Sequence, residues 1–246
     1  MNQKFSVEIL PPFRGTIYNE KYSASEKSER VILIFHGFPS SQNKNEHIAE
    51  YLTQQLKADV FIFHYEGLGQ SQGLFSFENS IQDAISYYKM VKAQGYRSVS
   101  LIGHSWGGLV ALNLITTIES ALLPNQLILL SPLNNIPVGD ALMGLVDSLY
   151  AGSKESFKQS KETMAQQISV VASHYNPRHK IEELKSLKMP IHIIQASDDD
   201  KVHPQSTASF VDLIDSNHVQ FEFLDTDHRF QTNQPHFLQR LAEVLS

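Results

Sequence analysis

Apolar positions along the chain fall into short blocks separated by longer stretches of mixed character. The blocks occupy residues 31–35, 60–63, 99–102, 127–130, 191–194 and 219–224, and most are uniformly apolar rather than alternating. Runs this short do not make helices, and their lack of alternation does not suit a half-exposed strand. They fit a sheet covered on both faces. Between them lie segments of helical period, at about 43–56, 77–92, 106–122, 205–214 and 235–245. Pro235 opens the last of these, a position where its missing N–H costs nothing. Strand and helix in alternation predict a doubly wound, mostly parallel α/β sheet.

Two stretches break the rhythm. Residues 5–18 are interrupted by Pro11, Pro12 and Gly15 and read as a short antiparallel hairpin at a sheet edge. Residues 133–188 carry helical pattern near 140–150 and 156–175 but no strand. An insertion there would stand above the carboxyl ends of the strands, where open α/β sheets bind ligands. No repeat, low-complexity tract or Pro/Gly/Ser-rich linker divides the chain. Residues 1–246 therefore read as one domain with a small cap insertion at about 133–188.

Composition narrows the function classes. Hydrophobic residues make up 41% of the chain, enough for a substantial core. Twenty Lys and Arg stand against 26 Asp and Glu, a formal charge of −6 with no basic run. That balance argues against nucleic acid or an anionic membrane as partner. The absence of cysteine excludes disulfides, thiolate nucleophiles and cysteine-bound metals. No apolar run approaches the roughly 18 residues of a membrane-spanning helix. The first eight residues contain no apolar export segment, and the expected location is cytoplasmic.

The segment with the most chemistry is Gly103-His104-Ser105-Trp106-Gly107, set between the apolar block at 99–102 and an apolar helix. This is G-x-S-x-G in a strand–turn–helix context. A serine on so tight a turn takes a strained backbone that lifts its hydroxyl above the sheet, and glycines at 103 and 107 let neighbouring chain pass close by. The helix beginning at Trp106 aims its N–H groups at charge developing beside Ser105. In the plainer reading Ser105 only caps that helix.

With this elbow the sequence resembles the α/β-hydrolase family, and the resemblance runs along nearly the whole chain. Phe35-His36-Gly37-Phe38-Pro39 is similar to the family's H-G-x turn. Tyr65-Glu66-Gly67-Leu68-Gly69-Gln70-Ser71 is similar to its Y-R-G-x-G-x-S turn, with Glu66 in place of the usual arginine. A phosphate loop is not supported there, because no Gly-Lys-Ser/Thr follows and the spacing departs from G-x-G-x-x-G.

The resemblance implies an acid and then a base on later loops, in the order Ser, Asp or Glu, His. Ala196-Ser197-Asp198-Asp199-Asp200-Lys201-Val202 resembles G-x-x-D-x-x-V, which puts the acid at Asp199, with Asp198 as the alternative and Asp200 in a solvated turn. Of the eleven histidines, His228 lies after the acid in a turn before the last helix, in a loop similar to G-x-x-H-x-F. His36 and His104 flank the site and read as structural. His203 is only four residues past Asp199, and His64 ends a strand. No H-x-x-x-H pair on a helix suggests zinc.

These residues imply a serine hydrolase needing no cofactor. Ser105 would be the nucleophile, His228 the base and Asp199 its orienting acid, with the backbone N–H groups of Phe38 and Trp106 as the oxyanion hole. The expected partner is a small-molecule acyl substrate; the insertion is otherwise polar and shows no large apolar groove for long-chain lipid, and small or medium carboxylic esters lead. Thioesters, amides or peptides are the alternative on the same triad, as is a non-hydrolytic small-molecule binder. The apolar run at 141–146 either walls the acyl pocket or docks the cap.

Overall fold

The structure is a computed structural model that describes residues 5–24, 27–39 and 45–246. Its frame is an eight-stranded sheet in the order β1-β2-β4-β3-β5-β6-β7-β8. The strands are β1 (Ser6–Ile9), β2 (Asn19–Ser23), β3 (Arg30–Phe35), β4 (Asp59–Phe63), β5 (Ser98–His104), β6 (Gln126–Leu130), β7 (Ile191–Asp198) and β8 (Val219–Asp227). Neighbours from β4 through β8 pair in parallel, whereas β1–β2 and β2–β4 are antiparallel.

Every apolar block of the sequence lies within one of these strands. β3 and β5 are buried on both faces for most of their length, which explains their lack of alternation. Helices α1 (Glu46–Leu56) and α8 (Gln234–Leu245) pack on one face, around Ile32, Ile34, Ile62 and Ile128. Helices α2 (Phe77–Lys92) and α3 (Trp106–Thr117) pack on the other, against Leu33, Phe35, Leu101 and Leu129. α7 (Pro204–Ile214) connects β7 to β8, with its proline in the first turn. This is the α/β-hydrolase fold.

The structure departs from the sequence reading in a few places. The edge hairpin is wider than residues 5–18: β1 pairs with β2 at Asn19–Ser23, and Phe13 and Ile17 only bridge within the connecting loop. β2 reads Asn-Glu-Lys-Tyr-Ser, too polar to announce itself; its pairing with β4 creates it. The expected start of α1 at Asn43 lies outside the described residues. α3 ends at Thr117 rather than near 122, because Ile118 turns to extended backbone and a short 3₁₀ turn, Ser120–Leu122, follows.

Residues 133–188 contain no strand, and hold α4 (Asp140–Phe157), α5 (Lys161–His174), the 3₁₀ turn Pro177–Lys180 and α6 (Ile181–Ser186). The run at 141–146 divides its work. Leu142 and Val146 are buried in the core, Met143 is exposed, and Leu145 alone of the run faces the cavity described below. Docking is its main role. The cavity wall comes from the next turns of α4, at Ser148, Leu149, Gly152 and Ser156.

Candidate active site

Ser105 sits between β5 and α3 with φ 53° and ψ −115°, a conformation that a residue with a side chain holds only at a cost of order 1–3 kcal/mol. Backbone bonds hold it there: its N–H donates to Leu130 O at 3.0 Å, and its C=O accepts from Gly108 and Leu133, both at 2.9 Å. Glycine is required on either side for reasons of space. A Cβ at Gly103 would lie 2.6 Å from Gly107 O, and one at Gly107 only 2.0 Å from Phe35 O. Gly108 is as constrained although it stands outside G-x-S-x-G, since its Cβ would meet Pro132 at 2.6 Å. Gly107→Ala is accordingly expected to cost about 3 kcal/mol or more and to lower Tm by roughly 10 °C; a melting curve that matches wild type would contradict the close approach.

The three side chains expected to cooperate come from separate loops and meet. His228, in the turn after β8, has Nε2 3.1 Å from Ser105 Oγ and Nδ1 2.8 Å from Asp199 Oδ2. Asp199 follows β7 and its carboxylate is fully shielded from solvent. Oδ1 accepts the N–H groups of Lys201 at 2.9 Å and Val202 at 2.8 Å. Burial alone would raise this carboxyl. The His228 hydrogen bond and charge, the Val202 N–H and the Ser131 hydroxyl outweigh burial and hold it at about 2. Asp198 closes β7 and is exposed, while Asp200 is exposed and paired to Lys201 at 2.9 Å. Neither reaches His228.

Phe38 and Trp106 both line the space in front of Ser105. Trp106 is the first residue of α3, so its N–H has no acceptor within the helix. The turn bearing Phe38 presses on Ser105, for a Cβ at Gly37 would be 3.1 Å from Ser105 Cβ. His36 Nδ1 bonds Gly37 O at 2.8 Å, and Tyr65 donates its hydroxyl to His36 O. His104 Nε2 donates to His228 O at 2.8 Å, joining the elbow to the histidine turn. His203 stands at the N-cap position of α7 without a side-chain capping bond, and His64 is packed against Tyr18 and His36. Glu66 folds over Gly73 and takes no part in the cavity lining.

Two contributors escaped the sequence reading. Ser131, fully buried with φ 40°, accepts the Ala196 N–H at 3.1 Å and bonds Asp199. Gln195, also fully buried, donates to Asp199 Oδ2 at 3.1 Å. The one signal for Gln195 is its place directly after the apolar block at 191–194, where an amide that continues into the core needs a buried partner.

Above these groups opens a cavity of about 680 Å³. Leu133, Ile136, Leu145, Leu149 and Ile168 give it an apolar side, and Asp200, Lys201, Arg229 and Gln231 a polar one. Among the described residues no cluster of three metal-binding side chains occurs, and no helix is long and apolar enough to cross a membrane.

Comparison with known proteins agrees with this architecture. No curated protein sequence matches the chain. Solved structures do match in fold. A monoacylglycerol lipase of Paleococcus ferrophilus aligns over 93% of this chain and 98% of its own, with TM-score 0.69 and 16% identity. An esterase of Pyrococcus furiosus aligns over 99% and 90%, with TM-score 0.69 and 17% identity. Est1E of Butyrivibrio proteoclasticus, solved with ferulic acid bound, aligns over 94% and 95%, with TM-score 0.69 and 14% identity. The profile of the family described as serine aminopeptidase, S33, matches residues 26–180, more than half of the sequence. The chain belongs to that family of α/β-hydrolases.

Proposed function

We propose that the protein hydrolyses small or medium carboxylic esters through an acyl-enzyme on Ser105. The observation that carries this reading is the unbroken line Asp199–His228–Ser105, with contacts of 2.8 and 3.1 Å, beneath the cavity that His228 and Ser105 line. Because Nδ1–H is donated to Asp199, Nε2 is left as the acceptor that takes the Ser105 proton. Ser105 Oγ then attacks the ester carbonyl. The oxyanion that forms is bound by the N–H groups of Phe38 and Trp106, and each such donor is typically worth about 10²–10³ in turnover. His228 passes its proton to the departing alkoxide, then deprotonates the water that releases the acid.

Substrate size follows from the cavity, whose volume of about 680 Å³ suits a small molecule. The helices of residues 133–188, read as a cap, supply Leu145, Leu149 and Ile168 as a dry wall for the acyl group. The family's description names a peptidase, but an aminopeptidase must hold a free ammonium. Among the described residues, the carboxylates lining this cavity are Asp200, paired to Lys201, and Asp227, whose Oδ1 caps the Gln231 and Thr232 N–H groups. Both have other work, which favours a neutral ester.

Hydrolysis of p-nitrophenyl acetate, butyrate and octanoate, with mass detection of a fluorophosphonate on Ser105, tests the reading. Turnover with labelled Ser105 is the expected result; failure of Ser105 to label would end it. Gly152 offers a test of the wall. It faces the cavity from mid-α4 with nothing within 4 Å of where a Cβ would stand. Gly152→Phe fills that space while improving helix propensity, so the octanoate-to-acetate ratio of kcat/KM should fall about tenfold. An unchanged ratio would place the acyl chain elsewhere.

A further inference from the structure

Behind Asp199 runs a chain of buried neutral groups that the mechanism above does not use. Asn134, Thr207 and Gln195 are all at most 1% exposed. Ser206 Oγ donates to Asn134 Oδ1 at 3.0 Å, Asn134 Nδ2 donates to Thr207 Oγ1 at 3.0 Å, and Thr207 Oγ1 donates to Gln195 Oε1 at 2.6 Å. Gln195 Nε2 then lies 3.1 Å from Asp199 Oδ2, and equally near Ala196 O and Val202 O. The direction of the chain is forced. Asp199 Oδ2, Ala196 O and Val202 O are all acceptors, so the glutamine must present its NH₂ group to them, which leaves Oε1 to accept the one proton of Thr207. A flipped amide would set its oxygen against Asp199 and two carbonyls.

We propose that Gln195, oriented by Thr207, is a positioning residue for the Asp199–His228 pair. It donates to the same oxygen that accepts His228 Nδ1–H. Asp199 is cut off from water, and this donor spreads the charge on Oδ2 without competing for the imidazole. Oδ1 is fixed independently by two backbone N–H groups. The carboxylate is thus pinned at both oxygens, and His228 meets an acceptor of set strength and direction. Aligned dipoles ending on a buried charge strengthen one another, which gives the remote Thr207 a share in the effect.

This rests on the proposed roles of Asp199 and His228, and the test separates the two. Gln195→Met keeps volume but removes the donor; Thr207→Val removes the group that orients it. With less support, Oδ2 becomes the stronger base and holds the imidazolium more tightly. The acid limb of kcat/KM is expected to move up by about one pH unit in Gln195→Met, a tenfold loss on the acid side, and by less in Thr207→Val. The low-field Nδ1–H proton resonance of His228 should move with it, and that readout needs no substrate. Other charged or titratable groups that line the cavity beside the pair are His104, Asp200, Lys201, Asp227 and Arg229, with the exposed Asp198 next to Asp199 in the chain, and both variants leave them in place. Wild-type limbs and resonances in a folded Gln195→Met would overturn the proposal, as would a lower Tm with an unmoved profile. Should that variant fail to fold, an unmoved resonance in Thr207→Val decides against it. Absence of turnover in the wild type would refute the ester reading alone.

Discussion

Ser105→Ala is expected to lower kcat/KM for p-nitrophenyl butyrate by about 10⁵–10⁶, with His228→Ala close behind and the double variant scarcely worse than either. The non-additivity follows from the geometry. In the proposed reaction His228 Nε2, 3.1 Å from Ser105 Oγ, takes the proton of that hydroxyl, and without the hydroxyl it would have nothing to activate. What survives should be the slow reaction that the Phe38 and Trp106 N–H groups still assist. Stability separates chemistry from scaffold. Alanine keeps a Cβ at φ 53°, so Ser105→Ala should melt with the wild type, whereas Ser105→Gly is expected to gain about 1 kcal/mol by releasing the strain. Retained turnover in Ser105→Ala would remove this residue from the chemistry.

Much of this arrangement was legible because local constraints coincided. The strand before the elbow is apolar on both faces, the helix after it is apolar, and the glycines fall where Phe35 O and Gly107 O leave no room for a Cβ. Only a few residues obey rules that strict, and the sequence displays them. Asp199 was harder, since three adjacent aspartates are chemically alike. What distinguishes it is burial and two backbone N–H groups supplied by its own turn, neither of which a sequence displays. β2 was invisible for a similar reason: Asn19, Glu20 and Lys21 form a strand because β4 offers them partners, not because they favour one. The run at 141–146 left two readings open, and the structure gives it mainly to docking, with the wall in the next turns of α4. An amphipathic helix shows which residues are apolar, but not which stretch of that face meets the core and which the open space.

Asp199→Asn is expected to lower kcat by about 10⁴ at neutral pH, and the hydrogen bonds say why. The Oδ1 position accepts two backbone N–H groups, so the single carbonyl oxygen of asparagine will settle there. Its NH₂ group then occupies the Oδ2 position and faces His228 Nδ1 and Gln195 Nε2. Donor against donor, the imidazole must shift its proton to Nε2 to keep a bond, and in that tautomer it cannot take a proton from Ser105. The same substitution alters the pH dependence of folding. The wild-type carboxyl is held at about 2 against an ordinary value of 3.8, so its contribution is present above about pH 4 and is lost as pH falls through about 2. That contribution is roughly 2 kcal/mol. Denaturant melts of the wild type should lose it over that window, while the asparagine variant, which has no proton to gain there, should start lower and show a flatter profile. A variant with wild-type kcat would mean that the imidazole keeps its working tautomer without a carboxylate, and would detach Asp199 from the reaction whatever its contacts.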